Sequence, residues 1–284
     1  MTKAKKFTNF RPIVKSRHPS HRELRKQVFD LLPFRSVVRL GSSTKMKDDV
    51  TSGGNRVECN TINAIETSSD KLLMKETFAS HQILTPEWFQ VEDLRTTGGG
   101  LLEEKINDLP YPIIAKRIYG SRGRGLKKIE TKEEMKKFLE KDNIDDYYFE
   151  KYYTYAREYR LHVTQDGYFY ACRKMLKEET PEDKRFYRND SNCVWFLESN
   201  SGFDKPVNWD KIVKTSVEAL KAVELDIGAI DVLVQSAVNS SGDDRIDPKF
   251  LILECNSAPS FGEVTLEKYI KEIPKVLRKK FETV

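Results

Sequence analysis

Three oxygen-bearing side chains in the C-terminal quarter, Asp231, Glu254 and Asn256, are the residues of this chain best placed to do chemistry. Glu254 and Asn256 end the apolar run LILECN, residues 251–256, and Asp231 lies inside a second run, GAIDVLVQS. Apolar residues of alternating type read as a strand, on which residues two apart share a face. Glu254 and Asn256 then point one way and Cys255 the other. Polar groups at the end of a buried strand are costly unless something compensates them. Two carboxylates and an amide oxygen on neighbouring strands form a hard-cation site, and magnesium usually brings a nucleotide with it. Taken singly, each is also what a strand-end cap looks like.

Cations that would complement such a site lie upstream. Lys116 sits in the apolar strand YPIIAKRIY, where an ammonium must either meet an anion or snorkel to the strand edge. The loop Gly120-Ser121-Arg122-Gly123-Arg124-Gly125 follows it. Its glycines let backbone N–H groups approach phosphate oxygens, and Arg122 or Arg124 adds charge. It is not a Walker loop, since no Gly-Lys-Ser/Thr follows, and a strand rather than a dinucleotide-binding helix comes next. A protein-kinase reading fails as well, because no Asp-Phe-Gly occurs. Lys71 opens an expected helix, where a cation suits the dipole only if it serves an anionic ligand. Four histidines, at 18, 21, 81 and 162, build no Ser-His-Asp or Cys-His arrangement. His162 shares a strand face with Arg160 and either touches substrate or is structural.

The elements that must position these residues are short strands alternating with helices. HRELRKQVFDLL reads as a helix stopped by Pro33, and SVVRL as a strand opening onto GSSTK. DDVTSGGNR is loop-like, with Gly53 and Gly54 as breakers. Ser69 or Asp70 caps a helix running to about Ser80. From Tyr111 come two strands around the glycine loop, then the helix KEEMKKFLEK behind its cap Thr131. The strand YYFEKYY and the hairpin REYRLHVTQDGYFYACRKML follow, with Asp166 and Gly167 at the turn. Residues 177–208 read as polar and irregular. The helix WDKIVKTSVEALKAVEL precedes the Asp231 strand, a short connection to FLILEC implies antiparallel neighbours, and a last helix spans about 266–280. The fold class is α+β with antiparallel sheets rather than a doubly wound parallel sheet.

Composition is that of a soluble globular protein, with 33% charged and 38% hydrophobic residues in 284. No apolar stretch approaches membrane-spanning length and no secretory signal opens the chain. The four cysteines, Cys59, Cys172, Cys193 and Cys255, are too far apart for CxxC pairs, so a reduced, cytoplasmic setting is expected. The net charge of +5 owes much to an N-terminal arm in which Lys3, Lys5, Lys6, Arg11, Lys15, Arg17, Arg22, Arg25 and Lys26 face only Glu23. Such an arm either holds nucleic acid or another polyanion, or is a solvated terminus.

The order of blocks SSDKLLMKETFASHQILTP, YPIIAKRIYGSRGRGL, YFEKYYTYAREYRLHV, AIDVLVQS and LILECNSAPSF resembles the ATP-grasp superfamily of carboxylate–amine ligases. The likeness covers about residues 60–275 and is nearest to the branch of ribosomal-protein glutamate ligases and lysine-biosynthesis ligases. It implies ATP held between two α+β lobes and three units: a basic arm with a short α/β unit (1–68), a small lobe with a glycine flap (69–148) and a large lobe with the metal site (149–284). Lys71 and Lys116 resemble the lysines that hold ATP phosphates, and Gly120, Ser121, Gly123 and Gly125 belong to the flap. Glu150, Lys151 and Tyr152 resemble the adenine hinge, and Glu158 lies where a carboxylate meets the ribose. Arg160 matches the arginine of an Asp-x-Arg pattern, Arg173 or Lys174 sits where a base meets the transferring phosphate, and Arg188 and Asn189 resemble an Arg-x-Asn region. The glycines expected after that region are replaced by Asn192, Cys193 and Val194. Asp231, Glu254 and Asn256 match the ligands of Mg2+, for which Mn2+ can substitute. Relatives often carry a larger front domain; here SVVRLGSST supplies a strand and a substrate-facing loop, with Arg39 either an anion clamp or structural.

The resemblance implies an ATP-dependent ligase joining a carboxylate donor to an amine acceptor, whether amino acid, peptide or protein. Phosphorylation converts a poor acylating agent into an acyl phosphate, which needs positioned cations rather than a protein nucleophile. The rivals are a phosphotransferase of the same fold and a nucleic-acid-binding protein with a degenerate nucleotide site.

Overall fold

The computed structural model describes residues 11–45, 56–120, 123–140, 143–189 and 191–283. Lys3, Lys5, Lys6, Gly53, Gly54, Ser121 and Arg122 lie outside the described residues. The N-terminal sheet is parallel, in the order β1 (Ile13–Ser16), β2 (Ser36–Leu40) and β3 (Val57–Cys59). Helix α1 (His21–Val28) connects the first two strands and ends in a 3-10 turn, Phe29–Leu31, before Pro33. It is therefore shorter than the apolar spacing predicts.

Helices α2 (Ile62–Ser69) and α3 (Lys71–Ser80) follow. The sequence reading did not expect α2, though Thr61 caps it by accepting the Ala64 N–H. Asp70, not Ser69, caps α3, accepting the N–H groups of Leu72 and Leu73. The four-stranded antiparallel sheet has the order β4 (Trp88–Gln90), β7 (Tyr147–Lys151), β5 (Ile113–Arg117) and β6 (Lys127–Ile129). Helices α4 (Glu103–Asn107) and α5 (Lys132–Leu139) cover one of its faces. Alternation decides which residues they cover: Ile113, Ala115 and Phe149 enter that core, while Ile114, Lys116, Tyr148 and Glu150 point to the other side.

The five-stranded sheet is antiparallel throughout, ordered β10 (Cys193–Leu197), β9 (Gly167–Leu176), β8 (Arg157–Thr164), β11 (Ile227–Val234) and β12 (Phe250–Asn256). Strand β10 corrects the expectation of irregular structure across 177–208. CVWFL is a short run, but β-branched and aromatic residues fit a pleated edge. One face of this sheet carries Tyr159, Leu161, Ile230, Val232 and Ile252 against α2, α3 and α6 (Trp209–Ala222). Helix α7 (Glu263–Glu282) instead packs its Tyr269, Ile273 and Leu277 with α1 and the parallel sheet. Asn60 ties that sheet to the large one: its side-chain oxygen accepts the N–H groups of Asp226 and Ile227, and its amide donates to the carbonyls of Arg39 and Ile227.

Candidate functional site

The outward faces of the four- and five-stranded sheets line one cavity of about 890 Å³. Register explains how its charges meet. Across the large sheet Arg160 pairs with Asp231 and Asp231 with Glu254, so three functional residues stand in one row. The adjacent row runs Trp195, Lys174, Glu158, Leu233. A β-bulge on β12 places Leu253 between the partners of Asp231 and Val232. Ile252 and Cys255 consequently both reach the core, while Leu253, Glu254 and Asn256 line the cavity.

Asp231 is buried and gripped from two sides. Arg160 donates from Nε at 2.7 Å and Nη2 at 2.8 Å, and Lys174 donates at 2.8 Å. Burial alone would raise the Asp231 carboxyl, but these cations hold it well below its ordinary range. Lys174 also donates to Glu158 at 2.5 Å, and Arg188 lies 3.6 Å from the same carboxylate. Trp195 faces both cations, its ring centre 5.1 Å from Arg160 and 5.4 Å from Lys174. Of the two alternatives Lys174 borders the cavity, while Arg173 lies outside its lining, 3.5 Å from Asp204.

A second cluster gathers on the small sheet. Glu150 receives Lys116 at 2.6 Å, Lys75 at 3.0 Å and the Tyr148 hydroxyl at 3.0 Å. Burial pushes Glu150 up, but the two lysines outweigh it and hold it at about 2. Lys75 itself is brought down to about 8 by burial, against the pull of Glu150. Lys75 also donates to Thr85 and to the Leu253 carbonyl at the bulge. It is absent from the sequence reading, although its place one turn after Lys71 on α3 puts both on one face. Lys71 bridges to the flap by donating to the Gly120 carbonyl at 2.7 Å and lies 3.8 Å from Glu254. Asn256 donates its amide N–H to Glu254 at 3.2 Å, which leaves its amide oxygen to offer.

Of the expected residues, Lys71, Lys116, Gly120, Gly123, Glu150, Lys151, Tyr152, Glu158, Arg160, Lys174, Arg188, Asn189, Asp231, Glu254 and Asn256 border the cavity. Gly125 packs on Arg117 instead, where an added Cβ would lie 2.9 Å from its Cδ. The Glu150 side chain is committed to lysines, and Lys151 is held by Glu87 at 3.1 Å. The side-chain oxygen of Asn189 accepts from Ser191 and from the Asn192 backbone, so it shapes a turn. Two candidate residues, Arg39 and His162, do not border the cavity. Arg39 is fully buried against Glu58 at 3.0 Å and the Thr44 carbonyl, away from the cavity. His162 is buried among Phe169, Tyr170 and Tyr269 and brought down to about 3 by that burial. The reading also missed Ile114, Leu126, Leu233 and Leu253, an apolar lining suited to a flat heterocycle.

The donor set fits a hard divalent cation. Asp231 is ionised, as a ligand must be, and it has Glu254 beside it across the sheet. Among the described residues no cluster of three or more His, Cys, Asp or Glu side chains could hold a metal ion, so the third oxygen donor beside Asp231 and Glu254 would be the Asn256 amide. The four cysteines are free and buried. No helix among the described residues is long and apolar enough to cross a membrane.

No family model and no curated protein sequence matches the chain. Solved structures do. D-alanine–D-alanine ligase from Bacillus anthracis, complexed with ATP, superposes with a TM-score of 0.62 at 14% identity, covering 96% of each chain. The ATP-grasp ligase PsnB, complexed with a minimal precursor, gives 0.59 at 12% identity over 96% of this chain and 100% of that one. Such likeness at such low identity shows a shared fold.

Proposed function

We propose that this chain, which has the ATP-grasp fold, is an ATP-dependent ligase that joins a carboxylate to an amine through an acyl phosphate, releasing ADP and phosphate. The observation that carries the reading is the juxtaposition, in one cavity, of carboxylates Asp231 and Glu254 with the cations Lys71, Lys116, Arg160, Lys174 and Arg188. A carboxylate acquires a leaving group when the γ-phosphoryl group moves to its oxygen. That transfer is helped by positioning and by charge neutralisation along the phosphate path.

The apolar lining of Ile114, Leu126, Leu233 and Leu253 would receive adenine, with the chain at Glu150–Tyr152 along its edge. Lys116 is fixed by Glu150 and Lys71 by the Gly120 carbonyl, so both ammonium groups are pre-set for phosphate oxygens. Mg2+, or Mn2+, would be held by Asp231, Glu254 and Asn256 and would supply charge neutralisation at the phosphates when bound. Arg160 and Lys174 keep Asp231 ionised, and Lys174 stands where it can follow charge moving from Asp231 towards the transferred group. Arg188, whose Nε lacks a hydrogen-bond partner among the described residues, would receive the substrate carboxylate. The amine then attacks the acyl carbon, the C–O bond to phosphate breaks, and the amine loses a proton.

The experiment is an ADP-release screen of amino acids and short peptides, with mass spectrometry of products and hydroxylamine as a trap. A hydroxamate together with an amide-bonded product is expected. A stable phosphorylated product that resists hydroxylamine would instead make the chain a phosphotransferase. Nucleic acid as a partner would require salt-dependent binding through the basic arm, of which Lys3, Lys5 and Lys6 lie outside the described residues.

A further inference from the structure

The cavity wall holds more positive charge than a magnesium nucleotide needs. Among the described lining residues ten Lys or Arg face four Asp or Glu. Lys151 and Arg117 are paired outside the lining with Glu87 and Asp146, and all four lining carboxylates are already in ion pairs, so the cations still outnumber the carboxylates. A triphosphate whose charge a divalent cation has partly cancelled leaves that excess unmatched. Part of it lies towards the N-terminal unit. Arg17, His18 and Pro19, in the loop between β1 and α1, belong to the cavity wall, and the same three continue into a second cleft of about 520 Å³. Its remaining walls are Arg22 and Arg25. These two are three apart on α1 and project from one side of the helix.

The three guanidinium groups have no anionic partner among the described residues. Arg17 donates to the Ser43 hydroxyl at 3.4 Å and Arg25 to the Ser16 carbonyl at 3.3 Å. The nearby Glu23 is taken by Lys26 and Gln27. Among the described residues no carboxylate lies within ion-pair distance of Arg17, Arg22 or Arg25. Like charges gathered without a counter-charge cost the fold something, which a bound anion would offset.

The cleft is also held firmly beside the metal ligands. Ser257–Ser260 continue from Asn256 along the cavity wall. The His21 ring donates from Nε2 to the Pro259 carbonyl at 2.7 Å, and Ser20 accepts the Phe261 N–H at 3.1 Å. Burial keeps His21 neutral, brought down to about 4, so Nδ1 is free to accept from Ser16. Gly41 approaches so closely that an added Cβ would lie 2.6 Å from that of Ala258.

We propose that this arginine cleft is an anion subsite and that the carboxylate substrate is a di- or polyanion. One carboxylate reacts beside Arg188, and a further carboxylate or phosphate is held by Arg17, Arg22 and Arg25. The inference rests on the ligase reading for the first group but is tested apart from it.

The test is fluorescence anisotropy of three labelled tripeptides, triglutamate, triglutamine and one carrying phosphoserine, at fixed near-physiological salt. Wild type and the double charge reversal Arg22→Glu/Arg25→Glu are compared, with MgATP binding by calorimetry as control. Both positions are exposed, so the fold should tolerate the change. The expected result is that triglutamate or the phosphopeptide binds at least tenfold more tightly than triglutamine. The double variant loses that preference while its MgATP affinity stays unchanged. Tighter binding of triglutamate assigns the subsite to carboxylates, and tighter binding of the phosphopeptide assigns it to phosphates. Equal binding of triglutamine, or binding that the double variant retains, overturns the proposal. Wild type that fails to bind MgATP would instead overturn the ligase reading and leave the subsite result standing.

Discussion

Asp231 and Glu150 show how single residues here are made functional by their neighbours. Each is a buried carboxylate that burial alone would neutralise, and each is kept charged by two cations. Asp231 is so tightly paired that Asp231→Asn strands Arg160 and Lys174, at a cost on the order of 3–5 kcal/mol. Glu254 is the cleaner probe, because its side chain is 30% exposed and its lysine is 3.8 Å away. Glu254→Gln should cut ADP release by roughly a hundredfold or more. Its circular dichroism should match wild type, and normal turnover would remove Glu254 from the metal site. Lys75→Met should lower stability by on the order of 3 kcal/mol, measured by urea titration, since Glu150, Thr85 and the Leu253 carbonyl all lose a donor. For Glu150 the folded value, about 2, lies below the ordinary 4.5. Its contribution is therefore full above the higher value and lost as pH falls towards the lower one. Melting temperature should drop through that window, and more shallowly in Glu150→Gln, which starts lower.

At the scale of elements, the sites depend on where strands break their own rules. The bulge at Leu253 lets β12 bury Ile252 and Cys255 while still presenting Glu254 and Asn256. Plain alternation places the last three correctly but cannot reveal the extra residue, because the bulge is a property of pairing with β11. Lys116, Asp231 and their strands were legible because polar residues inside apolar runs are conspicuous, and Lys71 because it opens a capped helix. Lys75 was not, since a lysine on a helix with mixed neighbours reads as solvent-facing until Glu150 is seen opposite. Arg39 stayed open between two roles for a related reason: a cation near the end of a strand before a glycine suits a ligand clamp as well as a partner for Glu58. Strand β10 was hidden by the polar sequence around it. Gly41 tests the docking of the parallel sheet on the 257–261 segment. At φ +70 and with Ala258 so close, Gly41→Val should destabilise by about 1–3 kcal/mol, seen as a lower urea midpoint. An unchanged midpoint would mean that the contact can relax without loss.

Across the whole molecule, two antiparallel sheets face one another over a cavity whose walls carry opposite charges in contact, with a parallel sheet closing one end. Helices α2 and α3 pack on the large sheet although they precede the small one, so α3 carries Lys75 from the large sheet's core to the small sheet's Glu150, and Lys71 to the Gly120 carbonyl. That crossing is what the order of motifs along the chain cannot display. It also means that nucleotide should stiffen the molecule as one body, because its phosphates would touch side chains from both sheets. On the ligase reading this cavity holds MgATP between Lys71, Lys116, Asp231 and Glu254. Calorimetric titration of wild type, Lys116→Ala and Glu254→Gln with ATP, with and without Mg2+, tests it most directly. One magnesium-dependent site in wild type, weakened at least tenfold in both variants, is the predicted result. No binding by wild type, or equal affinity in all three proteins, would contradict it.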